Sequence, residues 1–364
     1  MASNKNQHFV PRCHLRPFTK GEEDAAICVF NLDRQKVIES APVKNQCSGD
    51  YFYGKNELLE QAIQSLETAY GHVIKEIRTP RYALAEGHKT ILRRFWLFQY
   101  MRTEAASRRS VEMAAELDKT VGIDDVAFRF DIKLAVQVAM RTYADAMDAI
   151  SDLKVCLLRN RTSVPFITSD DPAVQTNRWY MDDRRTFGRS FGCQASGMLA
   201  ILPLTPWVLC LAYDGDVYSI QHQGGWVDVR YDNDVRLINQ HQLLNCFANV
   251  FLHDAAGADE VRSSFKTAKP HRLETRHSLN IAIFDRKEGE YSRYRVVSPD
   301  EARSHNDALL HSQVHFPVPT AWPALLRWRD RGSVYTNGTG IKYVRKACAQ
   351  SMSSRRAFWR EAAR

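Results

Sequence analysis

The sequence MLAILPLTPWVLCLAY, residues 198–213, carries no charged side chain and contains Pro203 and Pro206. It is shorter than the roughly 20 apolar residues of a membrane-spanning helix, and a proline inside a helix removes a backbone donor. Short apolar runs that turn residues separate are typical of buried strands. We therefore predict two buried strands around a turn, and no membrane contact.

Short apolar runs continue on both sides of this stretch, separated by proline, glycine and serine. They predict strands at residues 155–158, 164–168 and 279–284, and one more helix from residue 234 to about 253. The sequence Tyr213-Asp214-Gly215-Asp216-Val217 is typical of a tight turn, because glycine readily adopts positive φ. We therefore predict a mostly antiparallel sheet in this half of the chain.

The first half of the chain has a helical pattern. Residues 57–78 carry apolar side chains at three- and four-residue spacing, which predicts a helix with one continuous buried face. Thr79-Pro80 ends that helix, because proline restricts the residue before it. Similar spacing predicts helices from about residue 86 past 101 and over residues 124–153, and residues 27–38 predict a β-hairpin.

These elements together predict an α+β fold in which a helical layer packs on a mostly antiparallel sheet, with a basic C-terminal extension. We expect one domain over residues 1–320, its helical part at about 57–153 and its sheet part at about 154–320. Residues 321–364 form the basic C-terminal segment. Hydrophobic residues make up 44% and charged residues 25%, which is an ordinary globular composition.

The cysteines and the opening residues indicate a compartment. Eight cysteines are scattered along the chain with no Cys-x-x-Cys pair, a pattern that fits core thiols in a reducing compartment better than a zinc ribbon or a dithiol. The first seven residues lack the apolar core of a secretory signal. We therefore expect a cytoplasmic protein of bacterial type.

The net charge of +8 is concentrated in the C-terminal segment, which has ten basic and two acidic residues from Ala321 onward. Basic and aromatic residues alternate there, which favours contacts to phosphates and bases of RNA or DNA. Arg345 and Lys346 are our candidate contacts. The alternative is a solvated basic helix that packs Tyr343, Val344 and Phe358 on the core.

The opening run NQHFVPRCHLRPFT, residues 6–19, nearly alternates polar and apolar residues. Alternation places His8 and Arg12 on the face opposite Phe9, where a histidine beside an arginine suits proton transfer next to an anion. We take His8 as a catalytic candidate, and Gln7 and Arg12 as substrate-binding candidates. Alternatively, His8 bonds backbone and Arg12 makes an ion pair.

The sequence from His8 to Arg12 also resembles the first half of the ββα-metal nuclease motif, in which a histidine before a proline activates water at a phosphate. The resemblance is partial. His14 follows too soon and His72 falls late in a long helix, so the second half is missing. A divalent metal would suit this chemistry, but the ligand spacing does not support one, and the sequence identifies no cofactor.

A second polar cluster, Thr168-Ser169-Asp170-Asp171, follows an apolar strand and precedes Pro172. Carboxylates at strand ends often bind ligands, because the sheet holds them rigidly toward a crevice. We take Asp170 as catalytic, and Ser169 and Asp171 as substrate-binding. The alternative is an ordinary turn with side-chain to backbone hydrogen bonds.

A third polar pair, Gln99 and Arg102, lies three residues apart on one face of a predicted helix with aromatic surroundings. If buried, both need partners, which His8 and Asp170 would supply, and we take both as catalytic candidates. If exposed, they form a solvated helix edge.

Four motifs in order carry a family resemblance: NQHFVP (6–11), QYMRT (99–103), FITSDDP (166–172) and LPLTP (202–206). They resemble a bacterial family of unknown function, domain-of-unknown-function family 4238, over about residues 4–284. The resemblance implies that these segments belong to one domain, so that the candidates of the first three motifs meet in space. His14 stands where the family leads us to expect an aromatic residue, often tyrosine.

The leading hypothesis is a nuclease-like hydrolase acting on nucleic acid or nucleotides, such as a toxin or a phage-defence effector. His8 is its general acid or base, and Asp170 orients His8 or binds a metal. Arg102 and Arg12 hold phosphate. The alternatives are a non-catalytic module that binds nucleic acid or protein, and a small-molecule transferase or sensor.

Overall fold

The structure is a computed structural model that describes residues 5–22, 25–121, 130–289, 291–339, 342–352 and 357–364. Its α-helices are α1 (Arg12–Leu15), α2 (Glu57–Ile77), α3 (Glu86–Arg102), α4 (Glu104–Val121), α5 (Ile132–Ala146), α6 (Arg178–Asp182), α7 (Asp232–Asn245), α8 (Ala258–Ala268), α9 (Pro299–Ala302) and α10 (Lys346–Met352).

The strands are mostly antiparallel, so the predicted α+β class is confirmed. They are β1 (Asn6–His8), β2 (Ala26–Asn31), β3 (Lys36–Pro42), β4 (Ser48–Asp50), β5 (Lys154–Asn160), β6 (Thr168–Ser169), β7 (Val174–Thr176), β8 (Leu199–Thr205), β9 (Val208–Tyr213), β10 (Tyr218–Ser219), β11 (Trp226–Val229), β12 (Asn249–Leu252), β13 (His277–Glu288), β14 (Tyr291–Val297), β15 (Leu309–Val314), β16 (Arg327–Trp328), β17 (Ser333–Thr336), β18 (Tyr343–Val344) and β19 (Trp359–Ala362).

The central sheet has the strand order β11-β5-β9-β8-β7 and is antiparallel except for the parallel pair β11 and β5. The predicted strands of residues 198–213 are confirmed as the hairpin β8–β9. Both faces of this sheet are buried, because alternate residues of β5 enter different clusters. Val155 and Leu157 pack with the helical layer, whereas Cys156 and Leu158 pack on the opposite side.

The helical layer consists mainly of α2, α3 and α5. The prediction of a helix at residues 57–78 is confirmed to within one residue: Asn56 caps the first turn by accepting the Leu59 N–H (3.2 Å), and the helix ends before Pro80. The predicted third helix begins at Ile132, capped by Asp131. Its predicted start, at residues 124–129, lies outside the described residues.

A second sheet, of order β3-β2-β12-β6, packs α7 and α8 on one face. It contains the predicted N-terminal hairpin. The prediction of a helix to about residue 253 was wrong, because α7 ends at Asn245 and Cys246 is not helical. Residues 249–252 form β12 instead, which pairs with both β2 and β6 and buries Val250 and Phe251. The predicted strand at residues 164–168 is only the short β6.

The C-terminal segment packs on the far face of the central sheet. Leu326, Val334, Tyr343 and Ala363 are buried there, and the Trp179 indole donates to the Ala363 carbonyl (2.6 Å). Its described strands pair with β10 and with one another. None of the helices in the described ranges has the length and apolar character that a bilayer crossing requires.

Candidate functional site

A cleft of about 780 Å³ lies between the opening segment and α2. We call it the amino-terminal cleft; His8, Arg12, Arg16, Lys44, Glu60 and Glu67 are among its lining residues. Strand β1 places His8 there by pairing with β4. Pro11 then directs the extended chain into α1, whose first residue is Arg12. The cleft therefore combines an imidazole, three cations and two carboxylates.

His8 has an incomplete set of hydrogen bonds among the described residues. Its ring bonds the backbone at Lys44, whereas Nε2 is buried and has no partner among the described residues. Burial lowers the pKa of His8, and the charge of Arg12 lowers it further. The neutral imidazole is therefore favoured near pH 7, and its unprotonated Nε2 can accept a proton.

Arg102 and Gln99 reach His8 through its backbone. The fully buried Arg102 donates to the carbonyls of Phe9 (2.9 Å) and His8 (3.0 Å) and pairs with Glu67 (2.8 Å). The Gln99 amide satisfies both neighbours when its nitrogen donates to Phe9 (3.2 Å) and its oxygen accepts from Arg102 Nε (2.9 Å). The two residues thus hold the strand that carries His8.

Gln7 also holds the chain locally. Its side chain is buried, donates to the Gly54 carbonyl (3.0 Å) and accepts the Tyr53 N–H (2.7 Å). The Tyr53 hydroxyl in turn donates to the His8 carbonyl (2.9 Å). Gln7 therefore lines the amino-terminal cleft with its polar atoms already bonded.

Asp170 does not line the amino-terminal cleft. Its carboxylate accepts three backbone N–H groups, from Phe247 (2.8 Å), Ala248 (2.9 Å) and Asn249 (2.8 Å). Burial raises the pKa of Asp170 to about 6, and the three donors act in the opposite direction. This carboxylate fixes the loop between α7 and β12.

The neighbours of Asp170 are engaged in the same way. The Ser169 hydroxyl donates to Gln242 (2.7 Å). The fully buried Asp171 accepts from Thr103 (2.6 Å) and pairs with Arg109 (2.7 Å). The second motif therefore joins α7 and α4 to the sheet, and its polar atoms face protein groups.

Three amide residues of α7, which the sequence analysis missed, bond this motif. Asn239 donates to the Pro165 carbonyl (2.9 Å), Gln242 to Pro172 (2.9 Å) and Asn245 to Asp171 (2.7 Å). Their positions three residues apart place them along one side of the helix. The three-residue spacing of these amides is the sequence signal that could have identified them.

The two C-terminal candidates have different environments. Arg345 is buried, makes a two-point ion pair with Asp152 (2.9 and 3.0 Å) and donates to backbone carbonyls, including that of Cys193. Lys346, the first residue of α10, is exposed. Tyr343 and Val344 are buried as the packing alternative expects, but they form strand β18 and not a helix, and Phe358 packs partly buried beside Val344.

Metal ligation can be tested on the described part of the chain, where no group of three or more His, Cys, Asp or Glu side chains is arranged to hold an ion. His14, the second histidine of the opening run, is bonded to Tyr70 (2.8 Å) and Thr168 (2.9 Å) instead.

Comparison with known proteins identifies one family. A search of curated proteins and of solved structures gave no match. A family model described as "Protein of unknown function (DUF4238)" matches residues 6–256, which is more than half of the chain and includes all four sequence motifs. The match covers β1, the helical layer, the central sheet and α7, and so the chain belongs to the DUF4238 family.

Proposed function

We propose that this protein is a hydrolase of phosphate esters in nucleotides or nucleic acid, and that the reaction takes place in the amino-terminal cleft. The observation that carries the proposal is the His8 ring, whose Nε2 is buried and unpaired among the described residues. A buried acceptor without a partner costs about 1–3 kcal/mol, and such atoms in native proteins often belong to functional sites.

The state of His8 supports a role as general base. One side of the ring bonds the backbone at Lys44, which fixes the ring orientation, and the lowered pKa keeps the imidazole neutral near pH 7. A neutral Nε2 accepts a proton from water as the water oxygen bonds to phosphorus; the ester P–O bond breaks, and the leaving oxygen takes a proton from the resulting imidazolium or from solvent. Arg102, through the His8 carbonyl, is a positioning residue.

The charges of the cleft support a phosphate-bearing substrate. Arg12, Arg16 and Lys44 line it, and guanidinium groups bind phosphate oxygens through paired N–H donors. Cations near the reacting phosphate also stabilise the charge that develops in the transition state. A cytoplasmic nuclease of this kind would suit a bacterial toxin or a phage-defence effector.

The test compares His8→Asn with the matched variant His72→Asn, an exposed histidine of α2, the helix that lines the same cleft. Asparagine retains a donor near the position of Nδ1 but has no base. Purified proteins would be incubated with RNA, single-stranded DNA and a chromogenic phosphodiester, each with and without Mg²⁺. We expect kcat to fall about 10²- to 10⁴-fold in His8→Asn only.

The acidic limb of the pH profile of kcat/KM, which reports the free protein, should lie below pH 6.5, because burial lowers the pKa of His8. A wild-type protein that cleaves none of these substrates contradicts the hydrolase proposal, as does a His8→Asn variant with full activity. Equal loss in both histidine variants also contradicts it.

A non-catalytic binding module is the second candidate. It is favoured by the satisfied bonding of Ser169, Asp170 and Asp171, which knits the domain together without facing the amino-terminal cleft. Lack of cleavage by the wild type, together with measurable nucleic-acid binding, would support this candidate.

A further inference from the structure

A second cleft, of about 1,320 Å³, lies where the end of α2, the adjoining ends of β5 and β11, and the β8–β9 turn meet. We call it the arginine cleft; its lining comes mainly from residues 77–83, 159–161, 205–208 and 221–230. We infer that this cleft binds single-stranded nucleic acid. The inference goes beyond the proposed hydrolase and does not depend on it.

Positive charge is concentrated in the arginine cleft. Its lining contains one carboxylate, Asp228, and five arginines: Arg78, Arg81, Arg159, Arg161 and Arg230. Asp228 contacts three of them, at 2.7 Å (Arg159), 3.4 Å (Arg161) and 3.8 Å (Arg230). These contacts lower the pKa of Asp228, so it stays ionised, and the five arginines and this carboxylate together carry a net charge of +4. Such a field attracts phosphates.

Aromatic rings are placed among these charges. Trp207, in the β8–β9 turn, is 41% exposed and lies edge-to-face with His253 (6.3 Å between ring centroids). Trp226 is fixed by its indole bond to the Tyr82 carbonyl (2.7 Å), and the Arg159 guanidinium lies 5.4 Å from its ring centre. Exposed or half-buried rings that the fold holds in place are suitable surfaces for base stacking.

The shape and chemistry of the cleft favour a single strand over other anionic ligands. Its volume exceeds the roughly 300–1,000 Å³ of small-molecule sites, which favours a polymer. The bases of a duplex are already stacked on one another, whereas those of a single strand are free to stack on Trp207. A bilayer surface is flat and the cleft is concave, and an acidic peptide offers few planar rings to match the aromatic lining.

Fluorescence anisotropy with a labelled oligonucleotide of roughly 16 nucleotides tests the inference on the full chain. The three arms are single-stranded RNA, single-stranded DNA and a duplex of the same sequence. We expect Kd for at least one single strand to be lower than for the duplex. Trp207→Ala should raise that Kd about 5- to 150-fold through lost stacking.

The double variant Arg161→Ala/Arg230→Ala tests the phosphate contacts. Both side chains are at least half exposed, so the fold should tolerate their removal. Their loss should weaken binding and reduce the slope of log K against log salt by about 1.4, because each contact to a single strand contributes about 0.7. Unfolding curves would confirm that both variants are folded.

Trp359→Ala is the matched control, because Trp359 is 49% exposed and lies in the C-terminal segment. It should bind as tightly as the wild type. Three results would overturn the inference: no single-strand binding, unchanged binding in Trp207→Ala and in the double variant, or weaker binding in Trp359→Ala alone. The last result would place nucleic acid on the C-terminal segment.

Discussion

His14 is fully buried between two hydroxyl groups, those of Tyr70 and Thr168, which bond its two ring nitrogens. The family resemblance leads to an aromatic residue at this position, and His14 keeps that planar shape while adding two hydrogen bonds. The hydroxyls belong to the helical layer and to the second motif. His14 therefore connects the opening segment to both, at the cost of burying an ionisable group.

That cost predicts acid sensitivity. Burial lowers the pKa of His14 to about 3, so the unfolded chain binds one more proton than the folded chain between that value and about 6.5. The stabilisation is therefore complete above about pH 6.5 and is lost as pH falls. In urea unfolding between about pH 6 and pH 4.5, the free energy of unfolding of His14→Gln should depend less steeply on pH than that of the wild type. The difference in slope should be about 1.4 kcal/mol per pH unit.

Tyr70→Phe serves as the control for this prediction, because it removes one of the hydrogen bonds and keeps the titrating ring. Its free energy of unfolding should be lower at every pH, with the wild-type pH dependence. A His14→Gln variant that keeps the full wild-type pH dependence would show that His14 is not the group responsible.

At single positions, the sequence indicated some of the polar residues that come together, but not the groups that they bond. His8, Gln99 and Arg102 do come together, through the backbone of the opening strand. The partners of Asp170 are backbone N–H groups at residues 247–249, far along the chain. Every residue except proline has such a group, so no side-chain pattern could indicate these partners.

The boundaries of helices and strands could be predicted where residues next to the boundary determine it. The α2 helix begins at an asparagine cap and ends before Pro80, and both signals are local. The boundary between α3 and α4 depends on Thr103, an extended residue whose hydroxyl bonds the distant Asp171. For this reason no separate α4 was predicted.

The α7 helix carries a prediction at this scale. Gln242→Leu removes the acceptor of the Ser169 hydroxyl and the donor to the Pro172 carbonyl, and leaves both groups buried without these partners. We expect the free energy of unfolding to fall by about 2–6 kcal/mol, since each of the two unpaired buried groups costs about 1–3 kcal/mol. Guanidinium unfolding would measure the change.

Asn233→Ala is the control, because Asn233 is an exposed residue of the same helix, and its effect should stay within about 0.5 kcal/mol. A double-mutant cycle with Ser169→Ala should show a coupling of at least about 0.5 kcal/mol. Loss of cleavage without loss of stability in Ser169→Ala would instead support the substrate-binding role that the sequence predicts.

At the scale of the whole molecule, charge distribution is the property that the sequence described least well. Residues 1–320 have a net charge of zero, yet five of their arginines line the arginine cleft. The C-terminal segment carries the net charge, but its Arg345 is buried against Asp152. The lining segments are distant in sequence and meet only because of the fold topology. The sequence does not show this topology directly.

Because residues 321–364 pack in this way, their deletion should affect the entire protein. Deletion of this segment would uncover the far face of the central sheet, where Leu158 and Leu211 now pack with Leu326 and Val334. It would also leave Asp152 without its buried cation. Asp152 itself is exposed, so water can solvate its carboxylate, and the uncovered apolar face is the main loss from the roughly 5–15 kcal/mol that stabilises a typical domain.

We therefore expect the 1–320 fragment to lose cooperative unfolding and near-ultraviolet circular dichroism and to bind a hydrophobic dye, because the sheet cannot stay buried on one face only. The full-length variant Lys346→Ala/Arg360→Ala, which changes only exposed charges, should unfold like the wild type. A fragment that unfolds cooperatively near the wild-type denaturant midpoint would mean that the segment is a separate unit, as its composition alone indicates. Only in that case would deletion be a valid test of nucleic-acid binding by the segment, since otherwise lost binding would merely report lost structure.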